Sequence, residues 1–199
     1  MVTIIFAHPK HESLNGRILG SIEKYCEEAG QKYTSIDLYK DGFSPVLTAE
    51  ELDGFYNGLS FDPLVKQYQN ILLNTDRIIL VFPIWWNEYP AILKGFFDRV
   101  CLGKFAFEYV PGGVVPKLTH IKSSLILTTS HAPTEVLTQH SGNIIENQVI
   151  NHMLKGIGVS ENKWINFDRV LESGAEQQAE FIASLKHEIG RLDSTGGLA

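Results

Sequence analysis

The residues best able to do chemistry are concentrated in three short segments that each follow an apolar run. These segments are residues 8–15, 83–89 and 128–134, and they contain hydroxyl, amide, imidazole and indole groups. None of them is a glycine-rich GxGxxG or GxxxxGK[ST] loop, and the sequence has no GxSxG nucleophile elbow. These absences disfavour a Rossmann dehydrogenase, a P-loop enzyme and an α/β-hydrolase.

The first segment has the composition of an anion-binding site built without glycines. Ser13 and Asn15 lie where a helical pattern begins, and His8, Lys10 and His11 add donors immediately before it. Free N–H groups and the positive end of the dipole at a helix start attract an anion such as a phosphate. The alternative is that Ser13 only caps the helix, as serine often does. The HxxH spacing of the two histidines has no supporting carboxylate or thiol motif, and no metal site is expected.

The second segment places Trp85 and Trp86 side by side after a central apolar run. Neighbouring side chains of an extended segment face opposite ways, so at least one ring is expected to be exposed or to face a flat ligand. Stacking on a planar ring is the simplest use of that surface. In the third segment, residues 128–131 supply hydroxyls, amides and an imidazole for the polar edge of the same ligand. A phosphate cradle, an aromatic platform and a polar rim together describe a flavin nucleotide site.

The apolar runs and helical periodicities around these segments predict the scaffold that positions them. Five short strands without alternation, separated by helical patterns, are typical of an open, doubly wound α/β domain with a parallel sheet. Ligands of such sheets lie beyond the carboxyl ends of the strands, where all three segments begin. The predicted strands are residues 2–7, 33–38, 77–82, 123–129 and 162–167. The predicted helices are residues 14–29, 64–75, 91–101, 143–155 and 175–192, with a helical piece at 48–52 and a loop at 103–116.

Composition and length indicate one globular domain over residues 1–199. The 199 residues match one ordinary domain, and 44% hydrophobic with 20% charged residues is a globular profile. The net charge of −6 disfavours broad nucleic-acid binding, since no basic excess is available to neutralise phosphates. The two cysteines are expected to be reduced, buried thiols in a cytoplasmic protein. No secretory signal or membrane-length apolar run is evident, and residues 194–199 are expected to form a loose tail.

Specific motifs accompany the first two segments. They are His8-Pro9 with Ser13-Leu14-Asn15, Phe82-Pro83-Ile84-Trp85-Trp86, and Pro90-Ala91-Ile92-Leu93-Lys94-Gly95 with Asp98-Arg99-Val100, supported by Asp37-Leu38-Tyr39 and Gly103-Lys104-Phe105-Ala106-Phe107. These motifs resemble the NAD(P)H quinone dehydrogenase family, which has the flavodoxin-like fold. The resemblance implies a single flavodoxin-like domain with a five-stranded parallel sheet and helices on both faces.

The resemblance also implies a homodimer that binds FMN or FAD and passes electrons from NAD(P)H to quinones or related acceptors. Nicotinamide and acceptor would use the same site in turn, which gives ping-pong kinetics. Phe107 and Tyr109 would lie over the substrate. The residues that would contact the flavin are His8, Ser13, Leu14, Asn15, Pro83, Ile84, Trp85, Trp86, Asn87, Thr128, Thr129, Ser130 and His131.

The chain departs from the family pattern on the acceptor side. Ser130 and His131 stand where the family has a Gly–Gly pair, and Asn87 stands where it has an aromatic residue or a glycine. The family's tyrosine and histidine that assist proton movement have no clean match, which leaves His131 and His140 as candidate catalytic proton donors. The alternatives are a flavin-binding ancillary subunit of a potassium efflux system, an azo- or nitro-compound reductase, and a flavodoxin-type electron carrier.

Overall fold

The computed structural model describes residues 1–194, with side chains described through residue 190. Its strands are β1 (Val2–Phe6), β2 (Tyr33–Asp37), β3 (Arg77–Pro83), β4 (Phe107–Val110), β5 (Gly113–Pro116), β6 (Ser123–Thr129) and β7 (Glu161–Phe167). Five of them form a parallel sheet, as predicted, and their order is β2-β1-β3-β6-β7. The other two, β4 and β5, pair in a separate antiparallel hairpin. The order reverses between β1 and β3, which is the switch point where such sheets bind ligands.

Helices cover both faces of this sheet. They are α1 (Leu14–Glu28), α2 (Ala49–Gly54), α3 (Pro63–Leu73), α4 (Ala91–Val100), α5 (Thr134–Gln139), α6 (Lys155–Ile157) and α7 (Ala175–Ser194), together with a π-helical segment, Ile145–Leu154. Helices α1 and α7 pack on one face over an apolar cluster that includes Ile4, Ile18 and Leu127. Helices α3 and α4 and the π-helical segment cover the other face. Because both faces are covered, every residue of β1 and β6 is buried.

The hairpin corrects the prediction of a loop over residues 103–116. Its strands pair from Phe107 opposite Pro116 to Val110 opposite Gly113. Gly112 closes the turn with a φ of +94°, a conformation that glycine adopts without strain. The pair Gly112-Gly113 predicted a loop, but glycines are equally typical of the tight turn between two paired strands.

The helix predicted at 143–155 is present, but its winding differs from an α-helix over most of its length. Residues Ile145–Leu154 are π-helical, and only α6 continues them as an α-helical turn. Apolar periodicity over about ten residues does not separate the two windings. Helix α5 was not predicted, because it has six residues and buries only Leu137, which gives no periodic pattern to detect.

A buried arginine joins α4 to the excursion between β2 and α3, which is residues 38–62. Arg99 Nε donates to Glu51 Oε1 (2.9 Å), and its terminal nitrogens donate to Asp62 Oδ2 (2.8 Å) and to the Ser44 carbonyl (2.6 Å). Glu51 also closes the capping box that begins α2. One guanidinium therefore fixes three points of the excursion.

Glycines permit the excursion to pack closely on other segments. A β-carbon on Gly95 of α4 would lie 2.3 Å from Pro45 Cα, and one on Gly58 would lie 2.6 Å from the Gly103 carbonyl oxygen. The Gly103 N–H in turn donates to the Phe55 carbonyl (3.0 Å). The excursion, α4 and the segment that leads into the hairpin therefore form one packed unit.

Both cysteines are buried, as predicted, and burial raises the pKa of the Cys101 thiol to about 12. Ser194 is the last residue of α7. The rest of the predicted tail, residues 195–199, lies outside the described residues.

Candidate functional site

Hydrogen bonds join the three predicted segments at the carboxyl edge of the sheet. Asn15 Nδ2 donates to Thr129 Oγ1 (2.7 Å), which ties the start of α1 to the end of β6. The Ile84 N–H donates to the Thr129 carbonyl (2.8 Å), and the rings of His8 and Trp85 lie 5.9 Å apart. The segments that follow β1, β3 and β6 therefore meet in one place.

Ser13 holds the first segment against α1. Its Oγ accepts the Gly16 N–H (3.2 Å) and donates to the Lys10 carbonyl (2.7 Å). Ser13 therefore caps the helix, and its predicted cofactor contact stays a prediction. The Lys10 N–H donates to His8 Nδ1 (3.0 Å), which leaves Nε2 as the protonated ring nitrogen. Burial lowers the pKa of His8, which disfavours the charged form of its ring.

Two backbone donors stay free beside this cap. Among residues 1–194, the N–H groups of Leu14 and Asn15 have no acceptor within the chain, as is usual in the first turn of a helix. The ring of His8 and the side chain of Lys10 belong to the loop that leads into this turn. Together these groups can hold an anion.

Asn15 supplies an independent sign that a ligand belongs here. Its side chain is 2% exposed, and while Nδ2 is bonded to Thr129, the buried Oδ1 has no hydrogen-bond partner. Leaving a buried acceptor unpaired costs about 1–3 kcal/mol. A ligand with an N–H or O–H group at this point would remove that cost, and a flavin nucleotide has such groups on its ribityl chain and its pyrimidine edge.

The second segment is a tight two-residue turn rather than an extended segment. Trp85 and Glu88 exchange two N–H···O hydrogen bonds of 2.9 Å, and Trp86 and Asn87 between them have φ values of +54° and +60°. Two consecutive left-handed residues are typical of a type I′ turn. Trp85 is 43% exposed and Trp86 is 98% exposed, so the prediction that the pair cannot both be buried is confirmed. An exposed indole held in a strained conformation is suited to stacking on a planar ligand.

Replacing Trp86 with glycine is expected to stabilise the ligand-free protein, because glycine adopts the left-handed conformation of this turn without strain. The left-handed conformation costs a residue with a β-carbon about 1–2 kcal/mol, and an almost fully exposed side chain has little packing to lose. Thermal unfolding without ligand should shift upward by about 2–4 °C per kcal/mol. Asn87→Gly is the control, since asparagine tolerates this conformation. A lower melting temperature for W86G would contradict the strain at this turn.

Some polar groups of the third segment are hydrogen-bonded within the protein, and others are free at the edge of the sheet. Thr128 and Ser130 are buried, and their hydroxyls donate to Asn166 Oδ1 and to the Ala132 carbonyl (2.7 Å each). The Ser130 N–H also donates to the Phe167 carbonyl (2.9 Å). These donors are committed within the chain, so the predicted cofactor contacts of Thr128 and Ser130 gain no support from free groups.

The free donors of this segment lie one residue further along. In the described part of the chain, the backbone N–H groups of His131 and Ala132 have no acceptor. The Thr129 hydroxyl accepts from Asn15 and retains its own proton for donation. Adjacent N–H groups at a sheet edge can receive a carbonyl or a developing negative charge.

Phe107 and Tyr109 line a different feature, a cavity of about 540 Å³ between α4, the hairpin and the π-helical segment. Tyr89 of the second segment lines this cavity, but none of the lining residues comes from the first or third segment. The predicted substrate role of the two aromatic residues therefore stays a prediction. The cavity is lined by Phe55, Tyr89, Lys94, Phe97, Asp98, Cys101, Phe107, Tyr109, Val114, Gln148, Asn151, His152, Met153, Gly156 and Ile157.

The two histidines proposed as proton donors are both exposed, His131 directly after β6 and His140 at the end of α5. Their catalytic roles stay predictions. Across residues 1–194, no three His, Cys, Asp or Glu side chains gather into a possible metal site. His11 contacts Asp37, with Nε2 2.6 Å from Oδ2. None of the described helices has the length and apolar character needed to cross a bilayer.

Side chains from the end of β7 reach the third segment, and they were not among the predicted site residues. Asn166 donates to Ser130 Oγ (2.8 Å) and Thr134 Oγ1 (3.0 Å), and Asp168 accepts from Thr134. A signal was present, because two polar residues, Asn162 and Asn166, lie on one face of a predicted strand whose partner strand is wholly apolar or hydroxylic.

Comparison with known proteins agrees with this architecture. The family model described as the flavodoxin-like fold matches residues 1–192. An uncharacterized NAD(P)H oxidoreductase of Escherichia coli, YcaK, is 38% identical over 100 residues, which are 50% of this chain and 51% of the relative. The match thus spans about half the length of that relative.

Solved structures share the fold over nearly the whole chain. An NAD(P)H:quinone oxidoreductase from Methanothermobacter marburgensis is 22% identical with a TM-score of 0.83, covering 96% of this chain and 98% of its own. An FMN-dependent NADH-azoreductase from Bacillus anthracis in complex with FMN is 16% identical with a TM-score of 0.75, covering 96% and 98%.

Proposed function

Since the chain belongs to the flavodoxin-like fold family, we propose that it binds a flavin nucleotide and transfers electrons from NAD(P)H to quinones or related acceptors. One observation carries the cofactor part of the proposal, namely the buried Asn15 Oδ1 without a donor, next to free N–H groups on both sides of the switch point. The names of the similar proteins support the reaction class: one is an NAD(P)H oxidoreductase, one a quinone oxidoreductase and one an FMN-dependent azoreductase.

Each of the three segments has a separate task in this proposal. The N–H groups of Leu14 and Asn15, with the ring of His8, would bind the phosphate group. Trp85 and Trp86 would provide the apolar surface beside the ring system. The proposal leaves the choice between FMN and FAD to experiment.

The residues after β6 would tune the chemistry. A bound flavin supplies the two-electron exchange between a reduced nicotinamide and an acceptor. The free N–H groups of His131 and Ala132 would stabilise negative charge at its pyrimidine edge. His131 or His140 would supply a proton to the acceptor.

The cofactor proposal is tested by purification and by one substitution. Wild-type protein, denatured after purification or after incubation with FMN and FAD, should release one of the two flavins. Asn15→Leu removes the unpaired Oδ1 and should lower flavin affinity by about tenfold, or about 1.4 kcal/mol, because the hydrogen bond to the ligand is lost. Asn147→Leu, on the exposed surface, is the control. Wild-type protein that neither contains nor acquires a flavin would contradict the proposal.

Turnover is tested separately from binding. NAD(P)H oxidation with panels of quinones and azo dyes should show parallel double-reciprocal lines, as expected when two substrates use one site in turn. Flavin binding with very slow turnover on every acceptor would instead favour the ancillary-subunit alternative.

We further propose that the protein is a homodimer in which a second copy covers the hairpin and the excursion. These segments expose several apolar side chains, namely Leu52, Tyr56, Leu59, Phe61, Tyr109, Val110, Val114 and Val115. Contiguous exposed apolar surface of this kind marks an interaction site. A second copy would also offer a route by which Phe107 and Tyr109 reach a flavin that their own chain does not place beside them.

Val114→Lys is expected to dissociate that dimer. Val114 is half-exposed on β5, and burying a lysine against apolar side chains costs several kcal/mol. Sedimentation velocity should show the wild type as a dimer and V114K as a monomer at micromolar concentration. Leu171→Lys is the matched control, because Leu171 is an exposed apolar residue in the loop after β7. A dimer that survives V114K, or is lost equally in L171K, would contradict this interface.

A further inference from the structure

Asn166 lies at the centre of a hydrogen-bond chain between β6, β7 and the third segment. It is paired in register with Thr128, whose hydroxyl donates to Asn166 Oδ1 (2.7 Å). Trp164 Nε1 donates to the same Thr128 Oγ1 (2.8 Å). Since an indole nitrogen can only donate, the direction of this half of the chain is fixed, from Trp164 through Thr128 to Asn166.

The other half of the chain starts from the amide nitrogen of Asn166. Nδ2 donates to Ser130 Oγ (2.8 Å) and to Thr134 Oγ1 (3.0 Å), which uses both of its protons. The Ser130 hydroxyl donates to the Ala132 carbonyl (2.7 Å). Thr134 donates to Asp168 Oδ2 through both its hydroxyl (2.9 Å) and its N–H (2.7 Å). Every side-chain proton in this hydrogen-bond network therefore has one acceptor. One branch ends at the Ala132 carbonyl and the other at the Asp168 carboxylate.

This arrangement holds residues 131–133 from both sides. The Asn166 carboxamide donates to Ser130, which precedes the free N–H groups in the sequence, and to Thr134, which follows them. The Ala132 carbonyl is held from within by Ser130, which fixes the orientation of the neighbouring peptide planes. The N–H groups of His131 and Ala132 consequently keep their direction without contributions from solvent.

We propose that Asn166 is a positioning residue, which aims the His131 and Ala132 N–H groups at the pyrimidine edge of the flavin and so favours the reduced cofactor. This inference rests on the proposed function. Two-electron reduction places negative charge at that edge, and donors that are already oriented stabilise the charge without reorganising. Disordering them weakens the binding of the reduced form more than that of the oxidised form.

The chain contains a matched control on the same strand. Asn162 is paired in register with Ser124, whose hydroxyl donates to Asn162 Oδ1 (2.7 Å), as Thr128 does to Asn166. Its Nδ2 donates to the carbonyls of Val159 and Ser160 (3.0 and 3.3 Å). Asn162 therefore makes the same kind of bond between the same two strands, but at the end of the sheet opposite the site.

The experiment compares Asn166→Ala with Asn162→Ala. Both variants lose an inter-strand hydrogen bond and should lose similar stability in urea unfolding. Only N166A should lower the midpoint potential of the bound flavin, by about 30 mV if the reduced form loses tenfold more affinity than the oxidised form. The flavin is FMN or FAD, whichever the wild type binds more tightly, and the potential is measured by equilibration with a reference dye.

A second pair of variants tests the same hydrogen-bond network at Thr134, where it reaches Asp168. Thr134→Val keeps Asn166 but removes the hydroxyl that accepts from Asn166 and donates to Asp168, and it should lower the potential as N166A does. Thr134→Ser restores the hydroxyl and should return the potential to the wild-type value, which a purely structural role would not require.

The outcomes separate the inference from the proposed function. If the wild type binds no flavin, the proposed function fails. If it binds flavin and N166A and T134V leave the potential within the range of N162A, the positioning role of Asn166 is overturned while the flavin site stands.

Discussion

Replacing Gly16 with alanine is expected to lower the affinity for the proposed flavin, FMN or FAD, by about 100-fold or more, equivalent to about 2.7 kcal/mol. A β-carbon on Gly16 would lie 1.9 Å from the carbonyl oxygen of His11 and 2.5 Å from its carbonyl carbon. Both are backbone atoms, so the loop itself must move. That movement would break the bond between Ser13 and the Gly16 N–H and would displace the residues that hold the anion. Isothermal titration with FMN and with FAD measures the loss.

Gly20→Ala is the matched control for this substitution. Gly20 belongs to the same helix, but a β-carbon there meets nothing within 4 Å. Because alanine is the better helix former, G20A should stabilise the protein by up to about 1 kcal/mol and leave flavin affinity unchanged. Equal affinity of G16A and wild type would show that the first segment does not bind the cofactor.

Replacing Arg99 with methionine is expected to cost about 3–5 kcal/mol of unfolding free energy, measured in urea. The substitution leaves the buried carboxylate of Glu51 and that of Asp62 without their cation. Lys24→Met is the control, since its pair with Glu28 is exposed and is worth at most about 1 kcal/mol. The double variant R99M/E51M should recover most of the loss, because an apolar pair replaces an unpaired charge. Equal stability of R99M and K24M would contradict the anchoring role of Arg99.

The pH dependence of this loss has a defined sign. Burial alone would raise the pKa of Glu51 and of Asp62, but hydrogen bonds, including those from Arg99, outweigh it and both are lowered. A lowered folded-state pKa contributes stability above the ordinary value of about 4, and this contribution is lost as the pH falls through the folded-state value. The difference between wild type and R99M should therefore narrow below about pH 4.

The parallel sheet, the helix positions and the meeting of three segments could be predicted because each depends on local signals. Uninterrupted apolar runs mark buried parallel strands, and the residues after them must lie at one edge. The hairpin, α5 and the π-helical winding could not be predicted in the same way. They depend on a few residues each, and tertiary packing rather than periodicity decides their form.

The residue types at the site could be predicted from the sequence, but the hydrogen bonds that those residues make could not. Ser13 and Ser130 were singled out for their hydroxyls, but in the folded chain those protons are used internally. Asn166 was overlooked because it lies within a strand rather than after one. Which polar groups remain free depends on the register between β6 and β7, and register is a property of the assembled sheet.

The packed unit of excursion, α4 and hairpin has an evolutionary consequence. Phe55, Phe107 and Val114, which line the cavity beside the hairpin, come from segments outside the five-stranded sheet, whereas the three segments that meet at the switch point follow the ends of its strands. Changes in the first group reshape the cavity without altering strand register. Under the function proposed above, a duplicated gene would thus diverge toward a new acceptor while keeping the residues proposed to hold the flavin.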